Sequence, residues 1–421
     1  MNTNTNQQGS LLDMPVPVAK TSKLEALVAK LCPNGVEYRK IGECTTKVSN
    51  IKWKNENNSY QYIDLSSVDR DIHNITDTTT INKENAPSRA QQIVCFNDIL
   101  FGTTRPLLNR YCSIPKEYHN QICSTGFCVI RPNKAKVDTR WIYHIISSNS
   151  FMEYVEKHQQ GASYPSISDS DVKNFLIPVP PIPVQEEIVR ILDTFAELTA
   201  ELTAELTAEL TKRKQQYEYY RDKLLTFGDN VEWKTLGDIG KVSMCKRIMK
   251  NETSSDGDVP FYKIGTFGKE PDAYISQEQY ETYKKLYSFP NKGDILISAS
   301  GTIGRTVIYD GNDAYFQDSN IVWIANDEKL VLNKYLYYFY QLQPWSVSTG
   351  GTIARLYNDN ISKTPIPVPP LSEQKRIVSI LDRFDALCND LSSGLPAEIN
   401  ARKKQYEYYR DKLLTFKELA K

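Results

Sequence analysis

Cationic, hydroxyl and aromatic side chains gather in short turn segments of this sequence. They are Lys52 and Lys54 on either side of Trp53; Thr103, Thr104 and Arg105; Ser163 and Tyr164; Lys246, Arg247 and Lys250; Ser298, Ser300, Thr302 and Arg305; and Thr352 and Arg355. Lysine and arginine at such places reach phosphates or guanine edges, and hydroxyl groups add hydrogen bonds to bases and to the sugar-phosphate backbone. Any one of these residues, taken singly, reads more simply as a solvated surface group. The sets carry the reading, and their chemistry is that of a nucleic-acid contact.

Catalysis would need a further constellation. The four histidines, His73, His119, His144 and His158, form neither HExxH nor a His/Cys ligand spacing, and no GxSxG elbow occurs. GTIGRT (301–306) lacks the GK[ST] of a phosphate-binding loop. Pro271 and Asp272, with Asp327, Glu328 and Lys329 far downstream, imitate a nuclease motif only in form. Both double prolines (180–181 and 369–370) follow IPV and do not head the Asn/Asp-Pro-Pro-aromatic motif of a methyltransferase. The expectation is a chain that binds and does not catalyse, with no metal or cofactor of its own.

Composition agrees with binding by local patches. Fifty-one basic residues balance 51 acidic ones, so no global field attracts nucleic acid. No apolar run approaches the ~18 residues that cross a bilayer. The N-terminal MNTNTNQQGS lacks the charged and apolar regions of a signal peptide, and the expected location is the cytoplasm, with no membrane partner. Eight cysteines without a CxxC pair read as reduced and structural.

The elements that must position these sets are written twice. RKQQYEYYRDKLLTF (213–227) returns as RKKQYEYYRDKLLTF (402–416), and the same offset of 189 carries IPVPPIPVQEEIVRILDTF (177–195) onto IPVPPLSEQKRIVSILDRF (366–384). Fainter echoes lie upstream: GVEYRKIGE (35–43) answers NVEWKTLGD (230–238), and NDILFGTTR (97–105) answers GDILISASG (293–301). Between the constant segments, residues 34–176 and 229–364 alternate β-branched and aromatic runs with turn residues and carry one late helical stretch each. They read as α+β domains of ordinary size.

The constant segments read as helices opening after proline clusters. Ile188, Ile191, Leu192, Phe195, Leu198 and Leu202 fall near the 3.5-residue period of a coiled-coil seam. From 183 to 227 such a helix would extend on the order of 65 Å. Inside it AELT is written four times, and each four-residue step turns the leucine stripe by roughly 40°. The second copy contains Gly394 and Pro396, which predict two shorter helices end to end. A plain dimerisation coiled coil accounts equally well for the helix pattern by itself. The tyrosines Tyr217, Tyr219 and Tyr220, with their copies Tyr406, Tyr408 and Tyr409, suit either partner docking or helix packing within the chain.

Taken together, GDILISASGTIGR (293–305), the paired IPVPP segments followed by QE or EQ and IVxILDxF, the paired QYEYYRDKLLTF ends and the AELT array resemble the specificity (S) subunits of type I restriction-modification systems, in particular the type IC subclass. The resemblance extends over residues 23–421. It implies an α+β fold of two target-recognition domains separated by two long helical segments paired as an antiparallel coiled coil, with an internal pseudo-twofold repeat. Residues 1–22 precede the pattern and read as a disordered extension; the division expected after them is a first recognition domain (23–176) with a helix at 23–31, a spacer with the AELT repeats (177–228), a second recognition domain (229–365) and a second spacer (366–421). Each domain would read half of a bipartite double-stranded DNA target across a gap of about 6–7 base pairs. Two methyltransferase (M) subunits would dock on the spacers, at the tyrosine-rich ends, and restriction (R) subunits would join that core. S-adenosylmethionine, ATP and magnesium would belong to those partners. The competing expectation is a bivalent scaffold that joins two proteins without DNA.

Overall fold

The computed structural model describes residues 18–228, 230–346, 355–390 and 392–420. The chain divides into two compact units, one holding residues up to Glu205 together with Ile399–Lys421, the other Leu206–Glu398. The expected disordered extension falls mainly on residues 1–17, outside the described residues. The first helix, α1 (Val18–Leu31), starts earlier than the expected position 23.

In the first unit, β1 (Glu37–Lys40) pairs antiparallel with β9 (Leu176–Val179), which brings the IPVPP segment back to the start of the domain. Between them β2 (Tyr60–Ile63), β3 (Thr79–Ile81), β4 (Ala90–Ile93) and β7 (Ile122–Ser124) form a sheet in the order β3-β2-β7-β4, with β2 and β7 parallel. A second sheet places β5 (Ile99–Gly102) between β6 (Tyr111–Ser113) and β8 (Phe127–Ile130). Three helices complete the domain: α2 (Thr139–Ile146), α3 (Asn149–His158) and α4 (Asp169–Asn174). Trp141, Phe101 and Phe151 are sealed in its core.

The second unit repeats this plan. β10 (Glu232–Thr235) pairs with β18 (Pro365–Val368); β11 (Lys241–Ser243), β17 (Ile321–Ala325), β14 (Ile295–Ser298) and β15 (Thr306–Ile308) follow in the order β11-β17-β14-β15. β12 (Val259–Tyr262) lies between β13 (Tyr274–Ile275) and, in parallel, β16 (Tyr315–Phe316). The late helical stretch foreseen at 333–342 is Asn333–Tyr340.

The echoed NDIL and GDIL segments show why sequence and fold repeat together. Asn97 and Gly293 both adopt left-handed backbone (φ 71° and 94°), which turns the chain into β5 and β14. The next residue caps that turn: Asp98 accepts from the Cys95 amide at 2.7 Å, and Asp294 from the Asn291 amide at 2.8 Å. Both carboxylates are buried. Arg131 neutralises Asp98 at 2.7 Å, whereas Asp294 has no ion pair among the described residues and burial raises its pKa.

The constant segments form the frame. One helix of 44 residues, α5 (Ile182–Leu225), runs through the AELT array, about 65 Å at 1.5 Å per residue. The second copy is broken as Gly394 and Pro396 predict, into Leu371–Asn389 and Leu395–Leu413. A Cβ on Gly394 would lie 2.5 Å from the Ala386 carbonyl oxygen, so only glycine fits the close approach there. Within the first unit the start of α5 (Val184, Ile188, Leu192) is buried with Leu414; within the second its end (Tyr217, Leu225) is buried with Ile377, Leu381 and Cys388. The helices in each pair run antiparallel. The expected seam is corrected at Leu198, which is 57% exposed, because a four-residue repeat rotates away from a helical stripe. Glu209 pairs with Arg213 one turn on, at 2.6 Å.

Near the C-terminus the chain meets its own beginning. The Val36 amide donates to the Lys417 carbonyl at 2.9 Å and the Leu419 amide to Val36 at 2.8 Å. Gly35 permits this contact with φ +106°, where a Cβ would stand 2.5 Å from the Lys417 carbonyl oxygen.

Candidate nucleic-acid interface

Strands β5 and β14 lead into equivalent loops. After β5 come Thr103, Thr104 and Arg105; after β14 come Ala299, Ser300 and Gly301. Arg105 and Gly301 both take left-handed backbone, φ 48° and 66°. In each unit a second loop crosses the first. Thr104 bridges Ser166 and the Ile167 amide donates to Thr103 at 3.0 Å; Ser300 bridges Arg355 and the Leu356 amide donates to Ala299 at 2.9 Å. Ser166 and Arg355 are themselves 189 positions apart, the offset of the repeat.

The first crossing presents a cation on an aromatic plane. The Arg105 guanidinium lies 4.5 Å from the centroid of the Tyr164 ring, which is 72% exposed, and the Arg105 backbone amide is tied to Pro165 at 2.7 Å. Ser163 is exposed beside it and Thr104 is half-buried. Thr103 does not join them and is withdrawn as a contact. It is buried, and its hydroxyl donates to the Gly126 carbonyl at 2.9 Å. Lys52 and Lys54 are exposed around Trp53, whose indole donates to Ala90 at 2.8 Å, and neither lysine forms an ion pair among the described residues.

The second crossing brings together residues that the sequence lists as separate sets. Ser300 donates to Asn320 Oδ1 at 2.8 Å and Arg355 Nη2 to the same oxygen at 2.9 Å. Two residues before Asn320, Asp318 pairs with Arg247 at 2.9 Å. Lys246 lies 5.1 Å from the Tyr287 ring centroid, and Lys250 and Thr302 are exposed. Ser298 is withdrawn: it is 1% exposed, donates to the Thr302 carbonyl and accepts from the Arg305 amide at 2.9 Å. Arg305 donates through Nη1 to the Phe267 carbonyl at 2.9 Å, which ties its side chain to the loop. Thr352 lies outside the described residues. Asn320 and Asp318 escaped the sequence reading; their one signal is the turn-rich DSN between β16 and β17.

Matching joints fix each domain to the frame. Gln185 is fully buried; its Nε2 donates to the carbonyls of Pro180 (2.7 Å) and Lys136 (3.3 Å), and its Oε1 accepts from the Asp138 amide (2.8 Å). Gln374, 189 positions on, does the same with Pro369 (2.8 Å), Leu330 (2.9 Å) and the Leu332 amide (2.9 Å). Two turns along, Asp193 accepts from Arg140 (2.6 Å) and His144 (2.8 Å), and its counterpart Asp382 from Lys334 (2.8 Å) and Tyr338. Burial would raise the Asp193 carboxyl, but the hydrogen bonds from His144 and Arg140 outweigh it and hold the pKa at about 2.

The tyrosine-rich ends divide into two classes. Tyr217 is withdrawn as a docking residue: it is 7% exposed and donates to Gln341 at 2.6 Å. Tyr406 and Tyr409 lie against Phe195, and Tyr220 stacks on Phe384. Tyr219 and Tyr408 point outward, 60% and 59% exposed. Tyr408 lines a hollow of about 480 Å³ with Asn149, Glu407, Asp411 and Lys412.

Two α+β units of related topology, each with crossed polar loops and each clasped to its share of a repeated helical frame, define a tandem recognition subunit. The type I restriction modification DNA specificity domain matches the chain twice, over residues 33–212 and 229–401, and the chain belongs to that family. A Haemophilus influenzae protein assigned as a type I restriction enzyme specificity subunit is 56% identical over 287 residues, 67% of this chain and 74% of the relative. The Escherichia coli EcoR124I/EcoR124II specificity subunit is 37% identical over 270 residues, 59% of this chain and 65% of its own length. A chain solved in work on the assembly and conformational transition of the type I restriction-modification system shares the fold, with TM-score 0.70 at 24% identity over 91% of this chain and 98% of its own. The HsdS subunit from Thermoanaerobacter tengcongensis does so with TM-score 0.54 at 24% identity, over 91% and 97%. Membership in the family agrees with DNA target recognition and lends the DNA-free scaffold no support.

Proposed function

We propose that this specificity subunit selects a bipartite double-stranded DNA target, each unit reading one half, and that helix α5 sets the length of the unread gap. The observation that carries this is the doubled joint, Gln185 and Gln374, which holds a crossed-loop domain to each copy of one frame. Two methyltransferase subunits dock on the frame through the exposed Tyr219 and Tyr408, directing adenine methylation, and restriction subunits join that core. The chain itself supplies sequence choice without catalysis. S-adenosylmethionine, ATP and magnesium act on the partners.

The ruler follows from helix geometry. Removing one AELT word shortens α5 by roughly 6 Å and turns its far end by about 40°. A base pair of duplex DNA advances 3.4 Å with roughly 34–36° of twist. A gap of about 6–7 pairs then depends on the number of words.

The test is methylation of a random DNA pool by the full chain with its methyltransferase partner, read by long-read sequencing, for the native protein and a form lacking residues 203–206. A bipartite motif whose gap shortens with both halves unchanged is expected. An unchanged gap overturns the ruler, and absence of any bipartite motif from the assembled native complex overturns the function.

A further inference from the structure

Asn320 closes the turn between β16 and β17, and its amide orientation follows from chemistry. A guanidinium has donors only, so the amide edge that faces Arg355 Nη2 at 2.9 Å is the carbonyl. Ser300 Oγ occupies the same Oδ1 at 2.8 Å. Both acceptor sites of the amide are therefore used inside the protein. The Nδ2 group makes no hydrogen bond among the described residues and is not sealed from solvent. The remaining N–H groups of Arg355 add further donors beside it.

We propose that Asn320, clamped by Ser300 and Arg355, is a base-reading residue of the second unit and selects guanine in the major groove. The inference rests on reading each unit as the reader of one half-site. A free asparagine pairs with adenine through both its oxygen and its nitrogen. Here the oxygen is withheld, and what the Asn320 amide and the Arg355 guanidinium still offer is donors. Guanine alone offers two adjacent acceptors, N7 and O6. Adenine places its N6 donor against the patch, cytosine its N4 donor, and thymine a single acceptor crowded by a methyl group. The backbone supports a fixed reader: Ser300 and Arg355 are bridged, and Leu356 is tied to Ala299 at 2.9 Å.

Two variants of the full chain, assembled with the methyltransferase partner, test this on the same random DNA pool. Asn320→Asp keeps the clamp and turns the outward donor into an acceptor. Guanine preference is expected to fall about tenfold or more at one position of one half-site, with cytosine gaining, while the other half keeps its sequence. Ser300→Ala releases half of the clamp, and adenine is expected to become acceptable at that same position. If Asn320→Asp leaves every base preference intact, or lowers methylation at all sites equally as loss of a phosphate contact would, the assignment is wrong. Should Asn320→Asp damage both halves through misfolding, Ser300→Ala decides, and strict retention of guanine there overturns the assignment. A native complex without a bipartite motif instead overturns the half-site reading on which the inference stands.

Discussion

Phe195 meets Tyr406 edge-on, ring centroids 5.6 Å apart, and the two residues come from different copies of the repeat. Phe384, the copy of Phe195, meets Tyr217, the copy of Tyr406, at 6.5 Å. Each aromatic pair joins the opening part of one helical copy to the closing part of the other. The compact units therefore do not coincide with the sequence repeats. Each unit is completed by a helix that the other repeat supplies, so neither repeat contains its whole core.

The buried glutamines are the sites where stability depends most on one side chain. Gln185→Ala leaves the buried Pro180 carbonyl, the Lys136 carbonyl and the Asp138 amide without this partner. A loss of about 2–4 kcal/mol is expected, a fall in melting temperature on the order of 10 °C. Gln374→Ala should match it. Thermal melts of both variants check this, and a change within about 1 °C of the native chain would contradict the joint.

Acid should weaken the first unit through His144. This histidine is 1% exposed, its Nδ1 has no partner, and burial lowers its pKa while Asp193 pulls it the other way and Arg140 and Arg410 reinforce the lowering. The unfolded histidine titrates near pH ~6.5, so below that pH the unfolded chain holds the extra proton first. Stability contributed by the neutral ring is present above about pH 6.5 and lost as pH falls toward the depressed folded value. His144→Tyr, which copies Tyr338, should flatten this part of the pH profile. His73, also depressed by burial, keeps its share in both forms, so the comparison of melts from pH 8 to 5 isolates His144. Equal slopes would remove His144 from the account.

Arg105→Gly separates strain from function. Glycine stands at the equivalent place in the second unit, Gly301, and relieves a left-handed arginine whose backbone costs roughly 1–2 kcal/mol. Melting should stay level or rise slightly. Methylation should lose about tenfold in discrimination at the half-site read by the first unit, with the second half-site unaltered. Unchanged discrimination would assign the Arg105–Tyr164 stack a purely structural role.

The sequence declared its architecture through identity at a distance. An offset of 189 is visible without knowledge of any fold, and Gly394 with Pro396 breaks a helix whatever surrounds it. The site was less legible because a hydroxyl looks the same in water and against a carbonyl. Thr103 and Ser298 have the composition of a DNA contact, yet both are buried and bonded to backbone. Asn320 shows the reverse: an ordinary turn residue in the sequence, it gains its character from Ser300 and Arg355, which only folding brings within reach. The clasp of Asp193 was hidden for the same reason, since its partners stand on a helix some fifty positions away.

Among the described residues, the side-chain hydrogen bonds of Gln185 and Gln374 reach the reading domains through main-chain atoms. At the first joint those atoms belong to Lys136 and Asp138, at the second to Leu330 and Leu332, and the hydrogen bonds are the same. A side chain that grips only peptide groups is blind to the identity of the residues it grips. Mutation can rewrite the surface of either reader, one residue after another, and the hinge pin beneath it never registers the change.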